Sequence, residues 1–190
     1  RLMPSFEISD DIEPGLASTA SEFLRDNPSE AKVVVNSAGG VATEGAAVMA
    51  EFQRHGNVTC YVQGVAASAA SLLVMGARHI VMHPAALMMT HDPSALTWGT
   101  AANHRTSATA LDKMTATYAE AYAKATGHPV NRIAAWMAEE TWLTAQEALD
   151  LNFCDEIEGA EIETPIFASF DYSRFRRPPE SLATIANRTG

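Results

Sequence analysis

Ser68 stands in a run of small residues, GVAASAAS over residues 64–71. A strand-like run, VTCYV over 58–62, precedes it, and a helix-like run, SLLVM over 71–75, follows it. Small residues allow the backbone to turn sharply and a substrate to approach closely. A serine at a strand-to-helix turn also lies near the positive end of the helix. The run therefore suits a serine nucleophile, although an Ala/Ser-rich packing helix would have a similar composition.

Three further segments carry groups that a serine nucleophile needs. The apolar run over 33–37 ends in AGG over 38–40, and two glycines between a strand and a helix free N–H groups to bind an anion or a developing oxyanion. His91 follows another apolar run, and an imidazole that titrates near neutrality can take and return a proton. An acidic pair at 139–140 precedes a predicted helix. Each of these signals is weak by itself.

In their order and spacing these segments resemble the Clp protease proteolytic subunits, a family of serine peptidases. NSAGG at 36–40 is similar to the family's NSPGG motif, with Ala38 in place of proline. GVAAS at 64–68 is similar to its GQAAS motif, with Val65 in place of glutamine. Both motifs belong to the part of the site where the nucleophile is expected.

Two more motifs extend the resemblance toward the carboxyl end. MTHDP at 89–93 is similar to the family's MIHQP motif. WLTAQEA at 142–148, followed by NFCD at 152–155, is similar to its FLSAxEA and GLVD stretch. The resemblance covers residues 33–157, and four motifs in order are far more specific than any one of them.

The resemblance implies a Ser-His-acid triad. Ser68 would attack the scissile carbonyl, and His91 would take the serine proton and return it to the leaving amine. Glu140 stands where the family has an aspartate, and its neighbour Glu139 remains the alternative acid. Asp92 is a poor candidate for orienting the imidazole, because adjacent side chains of a strand point to opposite faces.

The resemblance also implies an oxyanion hole and a substrate track. The backbone N–H groups of Gly40 and Ala69 would bind the oxyanion, and Gly39 would shape the turn. A substrate would bind as an extended strand beside this turn, through main-chain hydrogen bonds. The loop around Trp98 and Gly99 would lie near the bound strand.

The two ends of the chain resemble a subgroup, the Clp-related head-maturation proteases of phages and prophages. The similar segments are FEISDDI at 6–12 and FDYSRF at 170–175, the latter followed by PPE at 178–180. The resemblance implies polypeptide substrates such as phage scaffold or capsid proteins, self-association into rings that enclose the sites, and a Clp-type ATPase as a candidate partner. The host cytoplasm or the assembling procapsid is the expected location.

Length and pattern indicate an α/β fold. The chain has 190 residues, of which 47% are hydrophobic, enough for one sizeable core. Predicted strands and helices alternate, and the family resemblance specifies a ClpP/crotonase-like fold with stacked sheets flanked by helices. A long helix over 101–125 would be the handle through which rings stack. We expect a protease domain over residues 1–164 and a tail or linker over 165–190.

Composition argues against several classes of protein. The net charge of −10 disfavours nucleic-acid binding, and no apolar run is long enough for a membrane span. Cys60 and Cys154 stand in apolar runs and are expected to be buried free thiols. His79 and His83 share a strand face, but no third ligand stands at motif spacing, so no metal and no cofactor is predicted.

Three other interpretations compete with a serine endopeptidase that uses Ser68 and His91, and one other hydroxyl competes with Ser68. A crotonase-like acyl-CoA enzyme shares the fold and binds an enolate through similar N–H groups. A Ser-Lys peptidase would need Lys113 as its base. A catalytically inactive, ring-forming pseudoprotease is favoured by the changed acid and the missing motif proline. Ser71 is a second hydroxyl near the nucleophile, and we expect it to be a packing or capping group.

Overall fold

The structure, a computed structural model, describes residues 4–159 and 171–179. Seven strands in these residues form one hydrogen-bonded sheet. The strands are β1 (Ser5–Ile8), β2 (Ala31–Ser37), β3 (Val58–Ala67), β4 (His79–Met82), β5 (Leu87–Thr90), β6 (Thr141–Thr144) and β7 (Glu156–Ile157). The main path runs β1-β2-β3-β4-β7 with all neighbours parallel.

The sheet branches at β3, which is longer than its neighbours. The first half of β3 pairs with β2 and β4, and residues 65–67 pair with β5 in parallel. β5 in turn pairs antiparallel with β6. The predicted α/β class is confirmed, and the expected sheet layers are one continuous unit because β3 belongs to both groups of strands. β3 and β5 end side by side, at Ser68 and His91.

Six α-helices accompany the sheet in the described residues. They are α1 (Leu16–Asp26), α2 (Ala42–His55), α3 (Ala69–Val74), α4 (Ala101–Thr126), α5 (Val130–Glu139) and α6 (Ala145–Asp150). The long helix predicted over 101–125 is confirmed as α4. It begins where Thr100 and Asn103 form a reciprocal capping box, and it ends at Gly127, whose φ is 78°. None of these helices is both long enough and apolar enough to cross a membrane.

The core fixes α3, the helix that follows Ser68. All six residues of α3 are buried, and the helix packs against α2, β3 and β5. Gly45 of α2 allows close contact, because a Cβ there would lie 2.7 Å from the carbonyl oxygen of Ala69. The first residue of α3 is therefore held between the sheet and α2, in a packed interior that permits little displacement.

The strand predicted over 153–156 is wrong for most of its length. Only Glu156 and Ile157 pair with β4. The N–H groups of Phe153 and Cys154 donate instead to the carbonyl of Ala148, which belongs to α6. The apolar side chains at 153 and 154 are buried as expected, but the end of the preceding helix takes their backbone groups.

Two strands were not predicted. β1 (SFEI) and β6 (TWLT) mix apolar and polar residues within four positions and lack the apolar run that marks β4 and β5. The helix predicted from Thr144 begins one residue later, because Thr144 is the cap and shares a capping box with Glu147. Pairing with β5 makes residues 141–144 a strand, and that pairing is a tertiary contact.

Part of the predicted tail packs against the rest of the chain. Tyr172 is 2% exposed and Phe175 is 7% exposed, and a single 3₁₀ turn, Tyr172–Arg174, lies between them. The remainder of the predicted tail, residues 165–170 and 180–190, lies outside the described residues.

Candidate active site

Ser68 and His91 are in direct contact. The Oγ of Ser68 and the Nε2 of His91 are 2.8 Å apart. Ser68 has φ 56° and ψ −125°, a sparsely populated conformation for a residue with a side chain. Its own N–H donates to the carbonyl of Met89 on β5 at 3.0 Å. The strained turn thus joins the ends of β3 and β5 and directs the hydroxyl toward the imidazole.

The surroundings of His91 favour its neutral form. Burial lowers the pKa of the imidazole from its usual value near 6.5, and the guanidinium groups of Arg176 and Arg174 lower it further, whereas the carboxylates of Glu140 and Asp92 raise it. The net shift of the pKa is downward. A neutral imidazole can accept the serine proton through Nε2, which is what a general base requires.

Glu140 is buried near His91 but is bonded to other groups. It is 4% exposed and has a left-handed backbone, φ 57°. Its carboxylate accepts hydrogen bonds from the N–H of Arg176 at 2.7 Å and of Arg177 at 2.5 Å, and from the indole of Trp142 at 3.4 Å. Within residues 4–159 and 171–179, no hydrogen bond joins Glu140 to His91. Its charge acts on the imidazole through space.

The competing acids do not bond to His91 either. Glu139, the last residue of α5, is exposed. The N–H of Asp92 donates to Met137, and its Oδ1 is buried without a hydrogen-bond partner among the described residues. Of the three carboxylates, only Glu140 is both buried and fully engaged with donors.

The two glycines of the AGG segment are placed where no side chain fits. A Cβ on Gly39 would lie 2.7 Å from the Cβ of Ser68, and a Cβ on Gly40 would lie 2.4 Å from the carbonyl oxygen of Ile12. Ile12 donates to the carbonyl of Gly39 and accepts from the N–H of Val41, both at 2.8 Å. In such a parallel bridge the N–H and C=O of Gly40 point to the opposite edge.

The free backbone edge of Gly40 faces an open cleft, and this cleft contains most of the predicted site. Gly40, Ser68 and His91 line the cleft, and the N of Ala69 would lie 3.2 Å from a Cβ on Gly39. The structure therefore brings together Ser68, His91, Gly39, Gly40 and Ala69. An apolar recess beside Ser68 is lined by side chains that include Leu72, Tyr118, Tyr122 and Met137.

Trp98 and Gly99 do not line this cleft in the described chain. Trp98 is 95% exposed, and Gly99 lies against Asn103 at the start of α4. Residues 93–95 contribute to the cleft in their place. Arg174 and Phe175 also line it, although their motif predicted only a subgroup and no part in the site.

Ser71 and Lys113 occupy positions that exclude them from the reacting centre. The Oγ of Ser71 lies 2.6 Å from the carbonyl oxygen of Met89 and 2.6 Å from the hydroxyl of Tyr122, which confirms a packing role. Lys113 is exposed on α4 and does not line the cleft.

The predicted state of the two cysteines is confirmed in the described chain. Cys60 and Cys154 are buried free thiols. Among residues 4–159 and 171–179, no group of three or more His, Cys, Asp or Glu side chains is arranged to hold a metal ion. His79 instead lies beside the carboxylates of Asp155 and Glu156 at the surface.

Comparison with known proteins identifies the family. The Clp protease family model matches residues 16–161. The chain is 35% identical over 157 residues to an ATP-dependent Clp protease proteolytic subunit 1 of Leifsonia xyli, covering 80% of this chain and 77% of the relative. It is 31% identical over 157 residues to a proteolytic subunit 2 of Rhodococcus jostii, covering 80% of each chain.

A solved structure agrees in fold. A mutant of ClpP1 from Listeria monocytogenes superposes with a TM-score of 0.74 at 22% identity, covering 83% of this chain and 92% of that one. The family match spans every element from α1 to β7. This chain belongs to the Clp protease family.

Proposed function

We propose that this chain is a serine endopeptidase that cleaves extended polypeptides through Ser68, His91 and Glu140. The observation that carries the proposal is the 2.8 Å contact between the Ser68 hydroxyl and the His91 imidazole. The contact lies in a cleft that an open backbone edge at Gly40 also lines. Family membership supports a peptidase, and the neutral imidazole supports general-base catalysis.

The residues suggest the following sequence of steps. The Oγ of Ser68 attacks the scissile carbonyl while Nε2 of His91 takes the hydroxyl proton. The N–H groups of Gly40 and Ala69 stabilise the tetrahedral oxyanion, and the charge of Glu140 stabilises the imidazolium. His91 then gives the proton to the leaving amine, and the acyl group stays on Ser68. A water activated by His91 hydrolyses this ester and restores the serine.

The substrate is a polypeptide strand that adds to the free edge at Gly40 through main-chain hydrogen bonds. Such bonds are shared by every sequence, so side-chain preference comes from the apolar recess beside Ser68. From the front and tail motifs we propose a phage or prophage head-maturation role, with scaffold or capsid proteins as substrates in the host cytoplasm or procapsid. Self-association into rings, with or without a Clp-type ATPase, belongs to the same proposal.

One observation favours a second candidate, an inactive ring-forming pseudoprotease. The Glu140 carboxylate is bonded to residues 176 and 177 and not to His91. An imidazole without a bonded acid would be less well oriented, which lowers the reactivity of the serine.

A fluorophosphonate probe separates the two candidates. The purified, full-length protein is treated with the probe, and the adduct is located by peptide mass spectrometry, with His91→Ala and Ser68→Ala in parallel. We expect an adduct on Ser68 that is lost in both variants. The absence of any adduct on folded, oligomeric wild-type protein would contradict the peptidase and favour the pseudoprotease. Cleavage of an unfolded protein then tests the substrate class.

A further inference from the structure

Residues 171–177, which we call the C-terminal clamp, lie directly on the active-site region. Tyr172 and Phe175 are buried in an apolar cluster of their own, separate from the main core. The other members of this cluster come from β3, β5, β6 and the segment before Gly39: Ala38, Val65, Ala67, Leu87, Met89 and Trp142. The clamp therefore covers side chains that stand one or two residues before Gly39, Ser68 and His91 in the sequence.

Phe175 contacts the general base itself. Its ring centroid lies 5.7 Å from that of His91, with the planes at 74°, and 5.5 Å from that of Trp142, with the planes at 83°. Edge-to-face contacts of this kind are favourable and directional. The phenyl ring thus limits the rotation of the imidazole and keeps water from one side of it.

The backbone of the clamp binds the acid. The N–H groups of Arg176 and Arg177 donate to the two oxygens of Glu140. The guanidinium of Arg176 donates to the carbonyl of Ala138 at 2.8 Å. Arg174 reaches the front of the chain and pairs with Asp11 at 3.0 Å. The clamp is therefore tied to the end of α5 and to the segment that leads to Ile12 and the oxyanion turn.

We propose that the C-terminal clamp is a working part of the active site, in which Phe175 is a positioning residue for His91 and the main-chain N–H groups of residues 176 and 177 fix the carboxylate of Glu140. This inference rests on the proposed serine peptidase function. It moves the carboxyl boundary of the catalytic unit from residue 164 to residue 177. Because Arg174 and Phe175 of the clamp also line the cleft, a bound substrate would contact the same segment that positions His91 and Glu140.

The charges around His91 make its pKa a second test of the proposal, because partial unfolding alone would lower the rate without shifting the pH midpoint. Glu140 and Asp92 raise the pKa of the imidazole, whereas burial and the clamp residues Arg176 and Arg174 lower it. The tyrosines of α4 that line the adjoining recess stay uncharged, because burial raises their pKa values. Removing the phenyl ring of the clamp would hydrate the imidazole and raise its pKa.

The first test replaces Phe175 in the full-length chain. Fluorophosphonate inactivation is measured from pH 5 to 9 for wild type, Phe175→Ala, Phe175→Leu and Phe23→Ala, whose ring stacks on Phe6 in β1. We expect Phe175→Ala to react about tenfold more slowly or worse, with its acid limb moved to higher pH. Phe175→Leu should recover much of the rate, and Phe23→Ala should keep the wild-type midpoint.

The second test removes one hydrogen bond between the clamp and Glu140. Arg177→Pro loses the N–H that donates to Glu140, whereas Arg177→Ala keeps it. We expect Arg177→Pro to label Ser68 about tenfold more slowly, and Arg177→Ala to label it at a rate close to wild type. Melting temperatures of both variants show whether the chain is folded.

The outcomes distinguish this proposal from the function on which it rests. Wild-type labelling together with wild-type rates and pH midpoints in Phe175→Ala and Arg177→Pro would overturn the clamp and leave the peptidase standing. No labelling of the wild type at any pH would overturn both. Slower labelling in Arg177→Pro than in Arg177→Ala would support the clamp even if Phe175→Ala failed to fold.

Discussion

The serine–histidine pair and Glu140, the proposed acid, are held by different kinds of structure. Ser68 and His91 stand at the ends of β3 and β5, two adjacent parallel strands inside the core, and backbone hydrogen bonds lock their separation. Glu140 stands in a left-handed turn between α5 and β6, and its carboxylate is bonded to backbone groups 36 and 37 residues further along the chain.

This difference implies that the two regions respond differently to perturbation. The positions of Ser68 and His91 follow from sheet pairing, so any condition that keeps the core intact keeps them in contact. The carboxylate of Glu140 depends on contacts with a short segment near the carboxyl end, and such segments open at lower free energy than core strands do. The activity of the site should therefore be more sensitive to changes at the carboxyl end than its stability is.

The largest effect in the rigid region is expected for Gly40→Ala. The new Cβ would lie 2.4 Å from the carbonyl oxygen of Ile12, at a residue whose φ is 150°. The turn would have to move, which displaces the proposed oxyanion N–H and should slow peptide cleavage on the order of a hundredfold or more. Gly56→Ala is the matched control, since its φ of 77° carries backbone strain but nothing lies within 4 Å.

Cleavage of a fluorogenic peptide and thermal unfolding, measured for both glycine variants, check this expectation. Gly56→Ala should lose about 1 kcal/mol of stability with unchanged cleavage. Equal cleavage rates in the two variants would show that the Gly40 edge takes no part in catalysis.

The next effect concerns the acid, and Glu140→Gln should lower cleavage about a hundredfold. The amide removes the charge that stabilises the imidazolium, although the loss is smaller than the roughly 10⁴-fold expected where the acid is bonded directly to histidine. The amide also replaces one of the two accepting oxygens by an NH2 group, which leaves one N–H of the clamp without its acceptor, so the free energy of unfolding should fall by about 1–3 kcal/mol. Steady-state kinetics and chemical denaturation measure the two quantities.

Glu139→Gln is the control for this variant, because Glu139 is exposed. It should leave both the rate and the stability near wild type. A larger loss of rate in Glu139→Gln than in Glu140→Gln would reverse the assignment of the acid.

The third prediction concerns the pH dependence of cleavage, which reports how burial and nearby charges shift the pKa of His91. Because the folded-state pKa of His91 is lowered, the neutral base persists as the pH falls below 6.5, and the acid limb of kcat/KM should lie under that value. The sign for stability follows: the unfolded chain binds a proton first, so this group's contribution to stability falls as the pH drops below 6.5. In Glu140→Gln the acid limb should move lower still, since the carboxylate raises the pKa.

Rate profiles from pH 4.5 to 9 test these directions. A wild-type acid limb above pH 7 would contradict the burial of the imidazole. An acid limb in Glu140→Gln that moved upward would show that the carboxylate does not act on His91.

The smallest effect is expected at the edge of the clamp. The pair between Arg174 and Asp11 is exposed to solvent by 35% and 49%, and such pairs contribute about 0.2–1 kcal/mol. Asp11→Asn should therefore change the melting temperature by no more than a few degrees, and salt should mask the change. A loss of activity comparable to that of Glu140→Gln would mean that the ion pair, and not the apolar seat of Phe175, holds the clamp.

The sequence by itself determined the parts of this protein that depend on local pattern. The strands β4 and β5 follow from short apolar runs, and the helix α4 follows from its apolar stripe and its caps. The small residues around Ser68 and the AGG segment predicted a serine hydroxyl close to backbone N–H groups that are free to bind an anion. These features are readable because their cause lies within a few residues of their effect.

Only the tertiary structure decided the rest. The partners of Glu140 come from residues 176 and 177, and β6 is a strand only because β5 pairs with it. Trp98, expected beside the substrate, is exposed, while Phe175 of the predicted tail lines the cleft. Such contacts join segments far apart in the chain, and their energies depend on shape and burial in three dimensions, which no local pattern of residues records.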